Sequence, residues 1–470
     1  MTRDLDRLVD LRGWLHDDPT ALPDRDVALA RVLDRVAVTP QRRWSLRPAA
    51  RRRSRRAEPA RDTRRIPMLP LTAALAAAAT IGALVTGASL FTFTQESTPR
   101  TLTVDPLGAA DARTIGEAVA MADTGDTILV LPGTYPESVH VTEAITIRGT
   151  GDRGDVVIEV PPDGAELPGA EGTDIDAFYG LFVEGADARI ENLTVLGLRW
   201  GIAVALRGGA PVLDGVTVEL QGEFTGGSAR KPHQGLLVDG ESRATLTRVD
   251  VVGWVDLAGA PTITDSTFPE TCINVVPSAS SPVIAKSTIV ACPWGFGIEV
   301  GISETVPFLV APSGDGAPTA VIRDNDITAT DSGILVSSIG SSVTVTGNTI
   351  RGATLLVRFS RETGGLVQDN ELRGGGTGVS VGGARGGLAI RENTIVGTRS
   401  GITVSGPSDA EVTGNTIRDN DVGLTLIGAV TATFSDNTVC GNDRNVVVAP
   451  NATVPDLSGN EICADASPAP

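Results

Sequence analysis

The 470-residue chain carries 57 acidic and 39 basic residues for a net charge of −18, with 54 Gly but only 3 His, 3 Met and 4 Cys. That length suffices for a large buried core, and so few His and Met offer few ligands for copper. The charge is divided: residues 1–67 hold 17 Arg against 10 acidic residues, net +7, whereas the remainder holds 22 basic and 47 acidic residues, net −25.

Residues 4–16 and 24–37 read as two short amphipathic helices, separated by the breakers Pro19 and Pro23. Eleven Arg follow between Arg42 and Arg65, and then Leu69 to Phe93 runs uncharged for 25 residues. Roughly 20 apolar residues span a bilayer as a helix, so residues 68–94 are expected to form a transmembrane helix. The Arg-rich segment places the N-terminus in the cytoplasm and sends the rest of the chain outside. A cleaved signal peptide is the competing reading, with small residues at Thr86-Gly87-Ala88-Ser89, but residues 1–67 are far too long for an ordinary signal. Beside a membrane and without interleaved aromatics, the Arg cluster reads as a contact with anionic lipid, not with nucleic acid. The phrases Trp14-Leu15, Leu22-Pro23-Asp24-Arg25 and Thr39-Pro40-Gln41-Arg42-Arg43 resemble a short cytoplasmic module that precedes a single membrane span in many bacterial proteins.

Beyond a linker at 95–100, Thr114-Ile115-Gly116-Glu117 is a capping box before Val119 and Met121 and predicts a short helix over 114–122. From there the chain reads as β structure over 101–465, with a disordered tail at 466–470. In its C-terminal half one phrase recurs: Asp324-Asn325-Asp326-Ile327, Gly347-Asn348-Thr349-Ile350, Asp369-Asn370-Glu371-Leu372, and onward at Asn393, Asn415, Asn437 and Asn460. Successive Asn lie 22 or 23 residues apart. Within each period a Gly followed by alternating aliphatic residues recurs at Gly333, Gly378, Gly401 and Gly423. Period-two alternation rich in Val, Ile and Thr excludes a helical repeat. Stacked coils of parallel strands would bury one face of each strand and place every Asn over its copy, where buried amides satisfy one another from coil to coil. The expected fold is an all-β, right-handed parallel β-helix of some fifteen coils. The opening helix, Gly125-Asp126-Thr127-Ile128-Leu129-Val130 and the Asn repeats resemble the pectin methylesterases, pectate-lyase-like proteins and NosD-like periplasmic proteins. In those families a helix covers the first coil.

Cys440 and Cys463 each follow a repeat Asn by three residues, so they occupy equivalent points of neighbouring coils about 4.8 Å apart. Cys272 and Cys292 follow the weaker markers Ser266 and Ser287. Disulfides 272–292 and 440–463 fit an oxidising exterior; four buried free thiols are the alternative.

Three long segments break the period. Residues 160–179 and 219–234 interrupt the turn ahead of the Gly-type strand, and 301–318 interrupts the turn behind it. Trp200, Trp254 and Trp294 fall at intervals of two coils along the same edge, where exposed indoles would stack on the rings of an extended polysaccharide; packing over the core is the structural alternative. Arg230, Lys231 and His233 concentrate positive charge in one segment, whereas 159–176, with Asp174 and Asp176, is acidic throughout. A groove between them could bind a carboxylate and move a proton, or the two could be solvated loops of opposite sign. The resemblance implies paired Asp residues and a Gly-His-Gly strand for a hydrolase, an acidic Ca²⁺ cluster for a lyase and an Asp pair with Arg and Gln for an esterase. None of these patterns is found here. A Ca²⁺ ion in the 160–179 loop would lack a spaced ligand motif, and no metal or cofactor is expected. The sequence thus points to a single-pass membrane protein that displays a glycan-contacting β-helix outside the cell. A lyase, hydrolase or epimerase and a purely structural ectodomain are the alternatives, and the oligomeric state is left open.

Overall fold

In a computed structural model the described residues are 98–466, apart from 109, 170–176, 199–200, 222–233, 278, 293–294, 302–315, 361 and 451. Contacts divide the chain into Met1–Phe93 and Thr94–Pro470. The expected N-terminal helices and the 69–93 span lie outside the described residues. Among the described residues no helix is long and apolar enough to cross a membrane.

The described part of the second unit is a right-handed parallel β-helix, with strands paired in one continuous sheet. Each coil contributes to three stacked columns. In the repeat region they are exemplified by Ser342–Thr346, Thr349–Arg351 and Leu355–Ser360, each pairing in parallel with its copies in the coils before and after. Among the described residues the first column contains fourteen strands, from Thr101–Val104 to Thr433–Ser435, close to the some fifteen coils expected.

A helix α1, Ile115–Met121, lies between the first strand and the next. Thr114 caps it through the Glu117 N–H, and the Glu117 side chain returns to the backbone of Thr114. Glu137 accepts from the N–H groups of Ile115 (2.7 Å) and Gly116 (2.8 Å), serving two more donors of the helix start.

The repeated phrases have physical causes. The residue before every repeat Asn from 325 to 437 turns the chain from the first column to the second in the left-handed region, with φ of 58° at Asp324, 65° at Gly347, 54° at Asp369 and 66° at Gly414. Gly and Asp bear that conformation more readily than bulkier residues. The Asn behind it is buried, and its amide nitrogen donates to the next Asn: 325 to 348 (3.0 Å), 348 to 370 (3.0 Å), 370 to 393 (2.9 Å), 393 to 415 (2.9 Å), 415 to 437 (2.8 Å) and 437 to 460 (2.7 Å). Each amide also donates to a strand carbonyl, as Asn393 does to Val367 O at 2.9 Å. Upstream the column continues with Ser: the Ser287 N–H donates to Asn325 Oδ1 and the Ser266 N–H to Ser287 Oγ. The repeat Gly opens the third column where neighbouring coils leave no room for a side chain. A Cβ on Gly401 would lie 2.4 Å from Ile417 Cγ2 and 2.6 Å from Gly423 O, and Gly378 and Gly423 are equally crowded.

Both expected disulfides are present, Cys272–Cys292 with Cα atoms 5.3 Å apart and Cys440–Cys463 at 4.9 Å. These distances are one coil spacing. The described chain contains no free cysteine.

Candidate functional site

Side chains of the third column alternate between the solenoid interior and its outside. Inward residues such as Val204, Leu236, Val255, Ile273 and Ile298 join the main core. The outward positions paired in register run Phe182, Ala205, Leu237, Asp256, Asn274, Glu299 and Leu335. An outward strand face is ordinarily wet, yet here it is covered. Phe182, Ala205 and Leu237 form a second apolar cluster with Leu167, Ala177, Tyr179 and Ile202. Leu167 and Ala177 belong to the long segment that precedes the third-column strand Tyr179–Glu184.

Where the apolar cluster ends, a buried polar row begins. Gln234 is 0% exposed, Asp256 4%, Asn274 5% and Glu299 4%. Asn274 Nδ2 donates to Asp256 Oδ1 at 2.9 Å, and the Gln234 side chain also hydrogen-bonds the carboxyl. Burial pushes the Asp256 carboxyl up to about 6 although both amides pull the other way. Both amide nitrogens are engaged, Gln234 Nε2 also reaching Leu236 O at 3.1 Å, while the buried oxygens Gln234 Oε1 and Asn274 Oδ1 find no hydrogen-bond partner among the described residues. Buried acceptors without donors cost free energy, so this row suits a ligand that supplies N–H or O–H groups. At one edge Arg207 Nε pairs with buried Asp239 at 2.8 Å.

Trp254 lies two residues before Asp256 on the same strand and hence on the same face. It is half-buried, and its ring meets Phe296 edge-on at 5.7 Å between centroids. The indole is a partly covered wall beside the polar row instead of a fully exposed platform. Trp200 and Trp294 lie outside the described residues, as do Asp174, Asp176, Arg230, Lys231 and His233. The strands do bear out the layout of the insertions. The 160–179 and 219–234 segments precede third-column strands, and the 301–318 segment follows one. His233 is the residue immediately before Gln234. Sequence reasoning missed Gln234, Asp256, Asn274 and Glu299, because Val255-Asp256-Leu257 reads as an ordinary strand with a wetted Asp. Two polar residues at the same outward position of adjacent coils, Asp256 and Asn274, were the available signal.

Fold and site define a β-helix protein with a covered polar row on its third column. A model of the family described as periplasmic copper-binding protein (NosD) matches residues 310–463. No curated protein matches the chain. Similar solved structures include a double mutant of the periplasmic alginate epimerase AlgG (15% identity, 70% of this chain and 75% of that one, TM-score 0.40). Others are the pectate lyase Pel9A (13%, 77% and 80%, TM-score 0.36) and the pectin methylesterase from carrot (16%, 54% and 83%, TM-score 0.37). Likeness at this level concerns the fold and says nothing of activity.

The matched region does not fit copper. Residues 310–463 contain no His and no Met. Among the described residues, Cys440, Glu461 and Cys463 form the one group of His, Cys, Asp or Glu compact enough to share an ion. Both sulfurs there are spent on a disulfide, which leaves no thiolate for a soft metal.

Proposed function

We propose that this protein is an extracytoplasmic β-helix that binds a polysaccharide along the outward face of its third column. The observation that carries the reading is half-buried Trp254 at the margin of the covered row Gln234–Asp256–Asn274–Glu299, whose buried amide oxygens find no donor among the described residues. Sugars supply what this row lacks: hydroxyl donors in series and an apolar ring face for an indole. The disulfides support a compartment outside the cytoplasm. Anchoring by residues 69–93 and their Arg-rich flank belongs to the same proposal, as do roles for Trp200, Trp294 and the Arg230–His233 segment.

The test is a panel of neutral and acidic polysaccharides, polygalacturonate and alginate among them, against the full-length chain. Saturable binding to at least one polymer is expected, weakened at least tenfold by Trp254→Ala. A panel without binding, or binding indifferent to Trp254, would defeat the proposal.

A second reading, catalysis, is favoured by the raised Asp256 carboxyl, since a group that titrates near 6 can exchange protons at working pH. Release of reducing or unsaturated sugars would support it, provided that Asp256→Asn abolishes release and leaves binding intact. If Asp256 is the proton donor, the rate falls above about pH 6; if it is the base, the rate rises there.

A further inference from the structure

The corner between the first and second columns carries a different feature, independent of the polar row. Around the turns that follow first-column strands Thr146–Gly149, Val212–Asp214 and Thr245–Thr247 lies a cavity of about 390 Å³, walled by Arg148, Arg153 and Arg248 together with Glu191, Asn192 and Asp214. Its floor is backbone. Gly149 approaches Asn192 so closely that a Cβ would lie 2.1 Å from Asn192 O, and Gly215, at φ 66°, leaves the turn without a side chain beneath the Arg153 guanidinium.

Each arginine is held by a carboxylate. Arg148 Nε pairs with Glu191 at 2.5 Å, Arg153 Nη1 with Asp250 at 2.5 Å and Arg248 Nη2 with Asp214 at 2.5 Å. Arg189, also paired with Glu191, stands beside them. One pairing fixes a guanidinium and uses only part of its five-donor fork. Both Nη groups of Arg148, Nη2 of Arg153 and Nη1 of Arg248 donate no hydrogen bond among the described residues. The lining therefore carries three guanidiniums against two carboxylates, a local positive charge within a region of net −25.

The geometry points to an oxyanion site in this cavity, with a phosphate group as the ligand chemistry. Three guanidiniums lining one space, each tied to a carboxylate, match a tetrahedral, multiply charged anion better than a planar carboxylate, which offers two oxygens. Paired carboxylates beneath the arginines hold the forks in place before the ligand arrives. The volume exceeds that of phosphate alone, so a phosphorylated sugar fits as well as the free ion, and the two sources are distinguished by experiment.

The full-length chain is titrated calorimetrically with inorganic phosphate, glucose 6-phosphate and glucuronate, at low and at physiological salt. Saturable binding of phosphate or the sugar phosphate is expected, stronger than that of glucuronate and weakened by salt. Arg248→Gln and Arg153→Gln should each reduce it at least tenfold. Arg248→Lys, which keeps the charge and loses the fork, should fall between, and Arg351→Gln, on another stretch of the solenoid, should change nothing. Tighter binding of glucose 6-phosphate than of phosphate identifies a phosphorylated sugar as the source; equal binding identifies the free ion. Absence of saturable binding by both phosphates, or binding that survives both Gln variants, overturns the site. Because Arg153 and Arg248 lie off the third-column face, polysaccharide binding by these variants should stay at the wild-type level, which separates this test from that of the proposed function.

Discussion

Substitution of one amide in the Asn column tests whether the column holds the solenoid together or merely accompanies it. In Asn393→Leu the side chain keeps about its size and loses every polar contact. Asn393 Nδ2 donates to Val367 O (2.9 Å), Arg391 O (3.0 Å) and Asn415 Oδ1 (2.9 Å), and its Oδ1 accepts from the Asn370 N–H (3.0 Å) and Asn370 Nδ2 (2.9 Å). The substitution leaves the buried Asn370 N–H and one amide hydrogen without acceptors. Each such donor costs about 1–3 kcal/mol, and burial of the leucine offsets part of the total. A net loss of about 3–5 kcal/mol is therefore expected. Asn393→Ser, which imitates Ser266 and Ser287 in the upstream coils, should cost roughly half as much. Urea unfolding of the full chain gives the magnitude. Hydrogen exchange gives the place, with faster exchange at Asn370 and in the coils to either side, because a repeat array loses stability first at the weakened interface. An Asn393→Leu variant within about 0.5 kcal/mol of wild type, with unchanged exchange at Asn370, would refute the reasoning.

Three further outcomes follow from the geometry. Asp256 titrates near 3.8 when unfolded and near 6 in the fold. Between those values the folded chain holds a proton that the unfolded chain has lost, so stability falls as pH rises through the window, by up to about 3 kcal/mol, and stays lower above it. Asp256→Asn should thus match wild type near pH 4 and exceed it at pH 7; urea midpoints at the two pH values decide this. Non-reduced peptide maps should join Cys272 to Cys292 and Cys440 to Cys463, and reduction should cost about 3 kcal/mol per bridge, as closure of loops of this length implies. Gly401→Val should destabilise by several kcal/mol, since it forces a side chain against Ile417 and the Gly423 carbonyl; a thermal midpoint unchanged from wild type would show that the coils can separate there at no cost.

What was legible in the sequence was whatever repeats. The Asn column, the capping box at Thr114 and both disulfides follow from spacing alone, because each coil meets its neighbour at a fixed offset. A second amide column was missed: the Thr398 N–H donates to Asn420 Oδ1, Asn420 Nδ2 to Asn442 Oδ1 and Asn442 Nδ2 to Asn445 Oδ1. It keeps the 22-residue period for only two steps before a last step of three residues, too short a run to stand out. The candidate site was missed for a different reason. Asp256 and Glu299 occupy positions that alternation assigns to solvent, and only tertiary cover makes them interior. The tryptophan spacing names the same edge as the buried polar row, since Trp254 shares the outward face with Asp256. Sequence spacing could not foresee that Phe296 would take part of its surface.

Binding of the best polymer from the panel, measured calorimetrically at pH 5 and pH 7 for wild type and Asp256→Asn, addresses the third-column face itself. Ionisation of Asp256 between those pH values should change the affinity of the wild type, while the variant, uncharged at both, should bind equally well at each. Identical pH dependence in the two proteins would place the saccharide elsewhere and contradict the assignment of this row as its contact.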